Sequence, residues 1–158
     1  GKTEGHIDQS IFAKEILSQK KGPPPKINLF NEKNNGETLL KLINEGFVKS
    51  AHDVSKGGLL VAIAKMCISG NKGININNPE NLINFFEYFF GEDQGRYLVE
   101  IEKKEFEKVK SILEKNSVYF NKFGTIQEKN LVLKDKFNIT IDELVKTNKT
   151  WLNKYMSN

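Results

Sequence analysis

Two short stretches of this sequence carry more polar and glycine residues than a helix or a strand requires. The first, "AHDVSKGGLL", places His52, Asp53 and Ser55 just ahead of Gly57 and Gly58. Glycines at the start of a helix leave backbone N–H groups uncovered, and the helix dipole adds partial positive charge there. The stretch therefore predicts a turn that accepts a phosphate or another anion, with the histidine and the aspartate orienting a polar ligand.

The same turn has a structural explanation, which the residues alone leave open. Asp53 or Ser55 can cap the following helix, and the glycines can permit close packing. His52 can satisfy a backbone carbonyl or hold Asp53 as a structural pair. Both explanations predict a strand that ends near His52 and a buried helix that begins at the glycines.

The second stretch, "FFGEDQGRYLVEI", places Glu92, Asp93, Gln94 and Arg96 within five positions at the mouth of a predicted strand. Arg96 is the only arginine among the 24 basic residues, the others being lysine. A lone arginine in a lysine-rich chain indicates a position that needs the planar guanidinium fork. Arg96 could either contact a ligand directly or form a buried ion pair with Glu92.

A third stretch, "GKTEGHIDQS", places His6 in a glycine-containing loop before a predicted helix. By itself, this histidine is better explained as a structural residue than as a ligand. The residues of the three stretches indicate no metal site within the chain.

Composition excludes several classes of protein. The net charge of +4 is spread over lysines that alternate with acids, as in "EIEKKEFEKVKSILEK", and no nucleic-acid recognition motif is present. The longest apolar run, residues 59–64, is far too short for a membrane span, and no secretory signal opens the chain. Cys67 is the single cysteine, which excludes a disulfide framework. We expect a cytoplasmic protein with neither nucleic acid nor membrane as a partner.

Hydrophobic periodicity predicts an alternating order of helices and strands. Helices are predicted near residues 9–18, 29–44, 57–69, 79–90, 103–115 and 141–156. Strands are predicted near residues 47–53, 71–77 and 95–101, with two or three more between 118 and 140. The prolines of "KKGPPPK" separate the first two helices. Such an order is typical of an α/β fold with a mixed sheet, and no Gly-x-Gly-x-x-Gly or P-loop sequence accompanies it.

Taken together, the three stretches resemble the C-terminal domain of the aminoimidazole ribonucleotide (AIR) synthetase superfamily. Within it, they resemble the synthetase subunit of the phosphoribosylformylglycinamidine synthase family. The first is similar to that family's His-Asp-Val-Ser-Asp-Gly-Gly-Leu block, with Lys56 in place of the second Asp. The second is similar to its Phe-Ser-Glu-Ser-Gln-Gly-Arg block, with Gly91 and Asp93 in place of the serines. The third is similar to Gly-His-Leu-Gly-Gln-Ser, with Asp8 in place of a glycine.

The resemblance covers essentially the whole chain and implies its organisation. It implies a three-layer α/β/α arrangement with a mixed sheet, partly like a ferredoxin fold. Residues 1–158 would be one domain of a larger chain, with a lead-in loop and helix over 1–22 and the domain body over 23–158.

The resemblance also implies an activity, cofactors and partners. The family performs ATP-dependent amidation of formylglycinamide ribonucleotide to formylglycinamidine ribonucleotide in de novo purine biosynthesis, with ammonia derived from glutamine. ATP and Mg²⁺ would be bound mainly by parts of the enzyme outside this chain, which alone would be inactive. The implied partners are the remaining domains of the synthetase, a glutaminase subunit, a small accessory subunit and a small-molecule substrate.

Site residues follow from the same resemblance. The residues expected to face substrate or phosphate are His52, Asp53, Ser55, Gly57, Gly58 and His6, with His52 the candidate for catalysis. Those expected to shape the cleft are Glu92, Gln94 and Arg96. The alternatives are a non-catalytic module that packs beside a structural nucleotide site, another ATP-dependent enzyme of the superfamily, and an independent basic binding module.

Overall fold

The computed structural model describes residues 1–77 and 84–157, which contain six α-helices and six β-strands. In chain order, the elements are α1 (Ile11–Glu15), α2 (Leu29–Asn44), β1 (Val48–Asp53), α3 (Gly58–Gly70), β2 (Gly73–Ile76), α4 (Phe85–Phe90), β3 (Tyr97–Ile101), α5 (Phe106–Lys115), β4 (Gly124–Gln127), β5 (Asn130–Leu133), β6 (Phe137–Thr140) and α6 (Ile141–Met156). A single 3₁₀ turn, Lys103–Glu105, leads into α5. The predicted alternation of helices and strands is confirmed.

The strands of the described residues form two sheets. β1 and β3 make an antiparallel pair, and β4, β2, β5 and β6 lie side by side in that order in a second sheet. In the second sheet β2 runs parallel to β5, whereas the other neighbours are antiparallel. The predicted α/β class is therefore confirmed, and the four-stranded sheet is its mixed sheet.

The described residues divide into two compact units. Residues 1–62 and 84–121 form the first, and residues 63–77 and 122–157 form the second. All the predicted site residues belong to the first unit, so its internal packing determines how they are placed.

The core of the first unit is a cluster around Leu42, Phe47 and Val109, against which half-buried side chains of β1, β3 and α5 pack. α2 contacts both β1 and α5. Burying each of these large side chains contributes about 1.5–3 kcal/mol. This cluster fixes the β1–β3 pair, and with it the two polar stretches at the ends of these strands.

The core of the second unit follows from strand alternation. β2 and β5 pair in parallel with Ile74 opposite Leu131 and Ile76 opposite Leu133, and all four side chains are buried. Side chains two residues apart lie on one face of a strand, so these four form a single apolar surface.

Several predicted boundaries differ from the structure. The first helix covers only Ile11–Glu15, because Ser10 caps it and the chain leaves the helix at Ile16. The strand predicted from residue 118 begins at Gly124, and Ser117 just before this region has a left-handed φ of 53°. Of the helix predicted over 79–90, Phe85–Phe90 is present, while residues 79–83 lie outside the described residues.

Candidate functional site

Pairing of β1 with β3 brings the two polar stretches together. His52 lies opposite Leu98 and Asp53 opposite Tyr97 in the antiparallel register. The pairing continues one residue further, where the N–H of Val54 donates to the carbonyl of Arg96 over 2.9 Å. The turn that follows β1 therefore lies directly beside the segment that precedes β3.

The glycines of the turn permit a close approach of two backbone segments. Gly58 has a φ of 72°, in the left-handed region. A Cβ built there would lie 2.7 Å from the backbone of Phe90 and 2.8 Å from the carbonyl oxygen of Gly91. Only a residue without a Cβ satisfies both conditions, so the close-packing explanation applies to this glycine.

The carboxylate of Glu92 occupies the position at which the sequence predicted an external anion. Its Oε1 accepts hydrogen bonds from the N–H of Gly57 at 2.8 Å and of Ile11, the first residue of α1, at 2.7 Å. The N–H of Gly58 donates to the carbonyl of Ser55 at 3.0 Å. An external phosphate would reach the N–H of Gly57 only by displacing the Glu92 carboxylate.

Asp93 holds the loop that carries His6. One of its carboxylate oxygens accepts the N–H of Glu4 at 3.2 Å and of Gly5 at 3.1 Å, and the other accepts the N–H of His6 at 3.0 Å. Asp93 is buried, with 7% of its surface exposed. The sequence interpretation did not include Asp93 among the site residues; the available signal was a second carboxylate next to Glu92 and close to the only arginine.

The side chain of Arg96 is buried in the interior of the first unit. It is 4% exposed, and its guanidinium donates to the carbonyls of Gly91 and Asp93 and to Thr3 Oγ1. Its Nη2 lies 3.7 Å from Asp93 Oδ2. The predicted buried pair therefore exists, but its partner is Asp93; the prediction of Glu92 was wrong because that carboxylate binds backbone N–H groups. Burial lowers the pKa of Arg96, and the Asp93 carboxylate opposes this shift.

The polar side chains of the turn itself lie nearer the surface. Nδ1 of His52 contacts the carbonyl oxygen of Asp53 and lies 3.4 Å from the Asp53 carboxylate. The side chain of His52 is 26% exposed and that of Asp53 is 63% exposed. Ser55 and Gln94 are also exposed. Asp53, Ser55 and Gln94 are thus accessible to a ligand, and the half-buried His52 is partly accessible.

His6 belongs to a set of polar side chains that hold the proline-rich segment. Its Nε2 lies 3.1 Å from the carbonyl oxygen of Pro23, and the side-chain amide of Gln9 donates to the carbonyl of Gly22 at 2.8 Å. Because a proline-rich segment has few N–H groups for regular hydrogen bonding, side-chain contacts of this kind fix its path. The structure therefore brings the His6 backbone beside Asp93 and its ring beside Pro23.

The described residues do not form a complete set of protein ligands for Mg²⁺. No group of three or more His, Cys, Asp or Glu side chains that could hold a metal ion occurs among residues 1–77 and 84–157. Mg²⁺ prefers carboxylate oxygens, and both oxygens of Asp93 and Oε1 of Glu92 already accept backbone N–H groups. Cys67 is buried, and burial raises its pKa to about 11, so its thiol is protonated at neutral pH. Among residues 1–77 and 84–157, each helix is too short or too polar to span a bilayer.

Two curated relatives resemble this chain along its whole length. It is 58% identical over 158 residues to the phosphoribosylformylglycinamidine synthase subunit PurL of Pelagibacter ubique, covering 100% of this chain and 22% of that protein. It is 35% identical over 158 residues to the subunit of the same name from Bartonella bacilliformis, covering 100% of this chain and 21% of that protein. The chain thus spans about a fifth of the length of these curated relatives.

A solved structure supports the fold. PurL of Thermotoga maritima, complexed with FGAR, is similar with a TM-score of 0.70 and 22% sequence identity, over 85% of this chain and 24% of that one. A family model described as "AIR synthase related protein, C-terminal domain" matches residues 6–136. Since the match covers most of the sequence and includes both polar stretches, the chain belongs to the family of AIR synthase related protein C-terminal domains.

Proposed function

We propose that this chain is the C-terminal domain of a phosphoribosylformylglycinamidine synthase subunit and forms one wall of its reaction cleft. The observation that carries the proposal is the β1–β3 pairing, which places the exposed turn at His52 beside the buried segment at Arg96. The similarity of the whole chain to two proteins of that name supports the same proposal.

The proposed reaction is the ATP-dependent amidation of formylglycinamide ribonucleotide. ATP transfers its terminal phosphoryl group to the amide oxygen, ammonia adds at the activated carbon, and phosphate leaves, which gives formylglycinamidine ribonucleotide, ADP and phosphate. Catalysis of this kind depends mainly on positioning and on offsetting negative charge. PurL of Thermotoga maritima has been solved with FGAR and with ATP, which supports the choice of substrates.

Within this wall, we assign the contacts with substrate to the exposed turn. His52, Asp53 and Ser55 would face the substrate, with the Gly57–Gly58 backbone behind them and His6 nearby. Glu92, Gln94 and Arg96 would shape the wall. As the family resemblance implies, Mg²⁺ and the bulk of ATP would be held mainly by other parts of the enzyme.

The proposal includes the setting of the domain. Residues 1–158 would form one domain with a lead-in over 1–22, in a cytoplasmic enzyme, and would be inactive alone. The partners would be the remaining synthetase domains, a glutaminase subunit that supplies ammonia, and a small accessory subunit. The structure described as PurLQS from Thermotoga maritima supports an assembly of this kind.

A second function, that of a non-catalytic packing module, is favoured by a specific observation. The N–H groups of Gly57 and Gly58 donate within the chain, to Glu92 and Ser55, and the His52 ring contacts its own neighbour. A domain of this kind could border a structural nucleotide site and take no part in turnover.

One substitution separates the two functions. In the complete polypeptide that contains this chain, with ammonium as the nitrogen source, His52→Ala should reduce ATP-dependent amidation at least about tenfold while the melting temperature stays unchanged. Lys110→Ala, on the exposed side of α5, is the control and should alter neither. Full turnover by His52→Ala would reject the catalytic wall in favour of the packing module.

A further inference from the structure

We propose that Asp93 is a positioning residue that acts through His6: its carboxylate fixes the backbone of residues 4–6 and so sets the place of His6 in the cleft wall. The kinetic part of this inference rests on the proposed function, whereas the structural part does not. Asp93 itself is buried and does not touch substrate in this assignment.

Three consecutive backbone N–H groups converge on this one carboxylate. The donors are Glu4, Gly5 and His6, at distances between 3.0 and 3.2 Å. The loop that contains them has no regular secondary structure before α1 and includes a glycine with a φ of 82° at position 5. A loop without regular secondary structure is ordered only by its hydrogen bonds and packing contacts. Hydrogen bonds to a charged acceptor are among the stronger ones available.

His6 is held at both of its backbone polar groups by adjacent residues. Its N–H donates to Asp93 Oδ1 at 3.0 Å, and its carbonyl accepts the N–H of Glu92 at 2.8 Å. With the backbone fixed at these two points, its ring reaches the carbonyl oxygen of Pro23. The position of the imidazole therefore depends on residues 92 and 93, which lie almost ninety positions away in the sequence.

Asp93 is in turn held by Arg96. The guanidinium Nη2 lies 3.7 Å from Asp93 Oδ2, and Nη1 donates to Thr3 Oγ1 at 3.2 Å, so the arginine contacts both the carboxylate and the loop. A carboxylate accepts hydrogen bonds at both oxygens and donates none, whereas an asparagine amide would turn two donors towards backbone donors. Asp93→Asn should therefore release the loop although the two side chains have nearly the same size.

Hydrogen–deuterium exchange on the complete polypeptide tests the structural part. A peptide covering residues 4–9 should exchange at least about tenfold faster in Asp93→Asn, whereas a peptide within α5 should be unchanged. Unchanged protection of residues 4–9 would overturn the proposal. If Asp93→Asn does not fold, Asp93→Ser takes its place in the same assay, because its hydroxyl can still accept one of the three N–H groups.

A double-mutant cycle with His6→Ala tests the kinetic part. Asp93→Asn should raise the KM for formylglycinamide ribonucleotide about tenfold with kcat within about twofold, and should add less than about twofold once His6 is alanine. Additive effects of the two substitutions would overturn action through His6. Val109→Ala, in the core cluster away from the loop, is the control for stability and should leave KM unchanged. Absence of turnover in the wild type would reject the proposed function, while the exchange measurement would still decide the role of Asp93.

Discussion

The turn at residues 52–55 and the segment at residues 91–96 are equally rich in polar side chains, yet the structure uses them in opposite ways. In the segment, Asp93 and Arg96 are buried, and their side chains bind the backbone of residues 4–6 and of Gly91. In the turn, Asp53 and Ser55 are exposed. The comparison shows that one dense polar stretch can be buried as scaffold while another stays at the surface, and that burial distinguishes the two.

The largest expected effect comes from removing the buried cation. Arg96→Ala leaves the Asp93 carboxylate in a buried site without its counter-charge, and we expect a loss of about 3–5 kcal/mol in the free energy of unfolding. Urea unfolding followed by circular dichroism would measure it. A loss below about 1 kcal/mol would mean that the segment is not the scaffold described here.

The close approach at Gly58 should give the next largest effect. Gly58→Ala combines a left-handed backbone with a Cβ placed against Phe90 and Gly91, for an expected cost of about 3 kcal/mol. Gly46→Ala is a matched control, because its φ is 77° but no atom lies within 4 Å of the added Cβ. It should cost only about 1–2 kcal/mol, and equal costs for the two variants would contradict the close approach.

The same change from aspartate to asparagine, made at positions 93 and 53, tests the comparison between the buried segment and the exposed turn directly. Asp93→Asn should lower the free energy of unfolding by about 1.5–3 kcal/mol, the range for hydrogen bonds to a charged group. Asp53→Asn, at a side chain that is 63% exposed, should change it by less than about 0.5 kcal/mol. Thermal melting of both variants measures the difference, and a larger loss for Asp53→Asn would reverse the assignment of scaffold and surface.

The smallest expected effect is a pH dependence at the surface. Hydrogen bonds from Lys49 and then Lys104 lower the pKa of Glu102 from 4.5 to about 2. A depressed folded-state pKa gives stabilisation that is complete above about pH 4.5 and is lost as the pH falls towards 2. Because Glu102 and both lysines lie at the surface, where solvent screens their charges, the effect should be small. The melting temperatures of the wild type and Glu102→Gln should differ slightly at pH 6 and converge towards pH 2.

Local signals in the sequence predicted much of the fold. The bounds of α2 are as predicted, because Asn28 caps its start and Gly46 with its positive φ ends it. α6 begins at the predicted residue, with Asp142 and Glu143 in its first turn and a capping box between Thr140 and Glu143. α1 is shorter than predicted because the apolar periodicity of residues 9–18 does not specify where packing ends a helix.

The candidate site was less predictable, because its bonds join distant positions. The sequence indicated the importance of Arg96 but not its partner. Asp93 was noted in the polar stretch but not assigned to the site, because its donors lie at residues 4–6. The anion-binding interpretation of Gly57 did not anticipate that Glu92, 35 residues away, would accept its N–H. Composition and spacing cannot rank such contacts, since they depend on which strands pair.

The backbone contact at Gly58 has a consequence for the genetics of this protein. Every glycine codon has the form GGN, and every missense change of a single base gives a residue with a Cβ. At position 58 each of these residues would meet the backbone of Phe90 and Gly91. No one-step missense allele at this codon is therefore structurally silent, whereas third-base changes are free to accumulate. In a population of these genes, codon 58 should show synonymous variation alone.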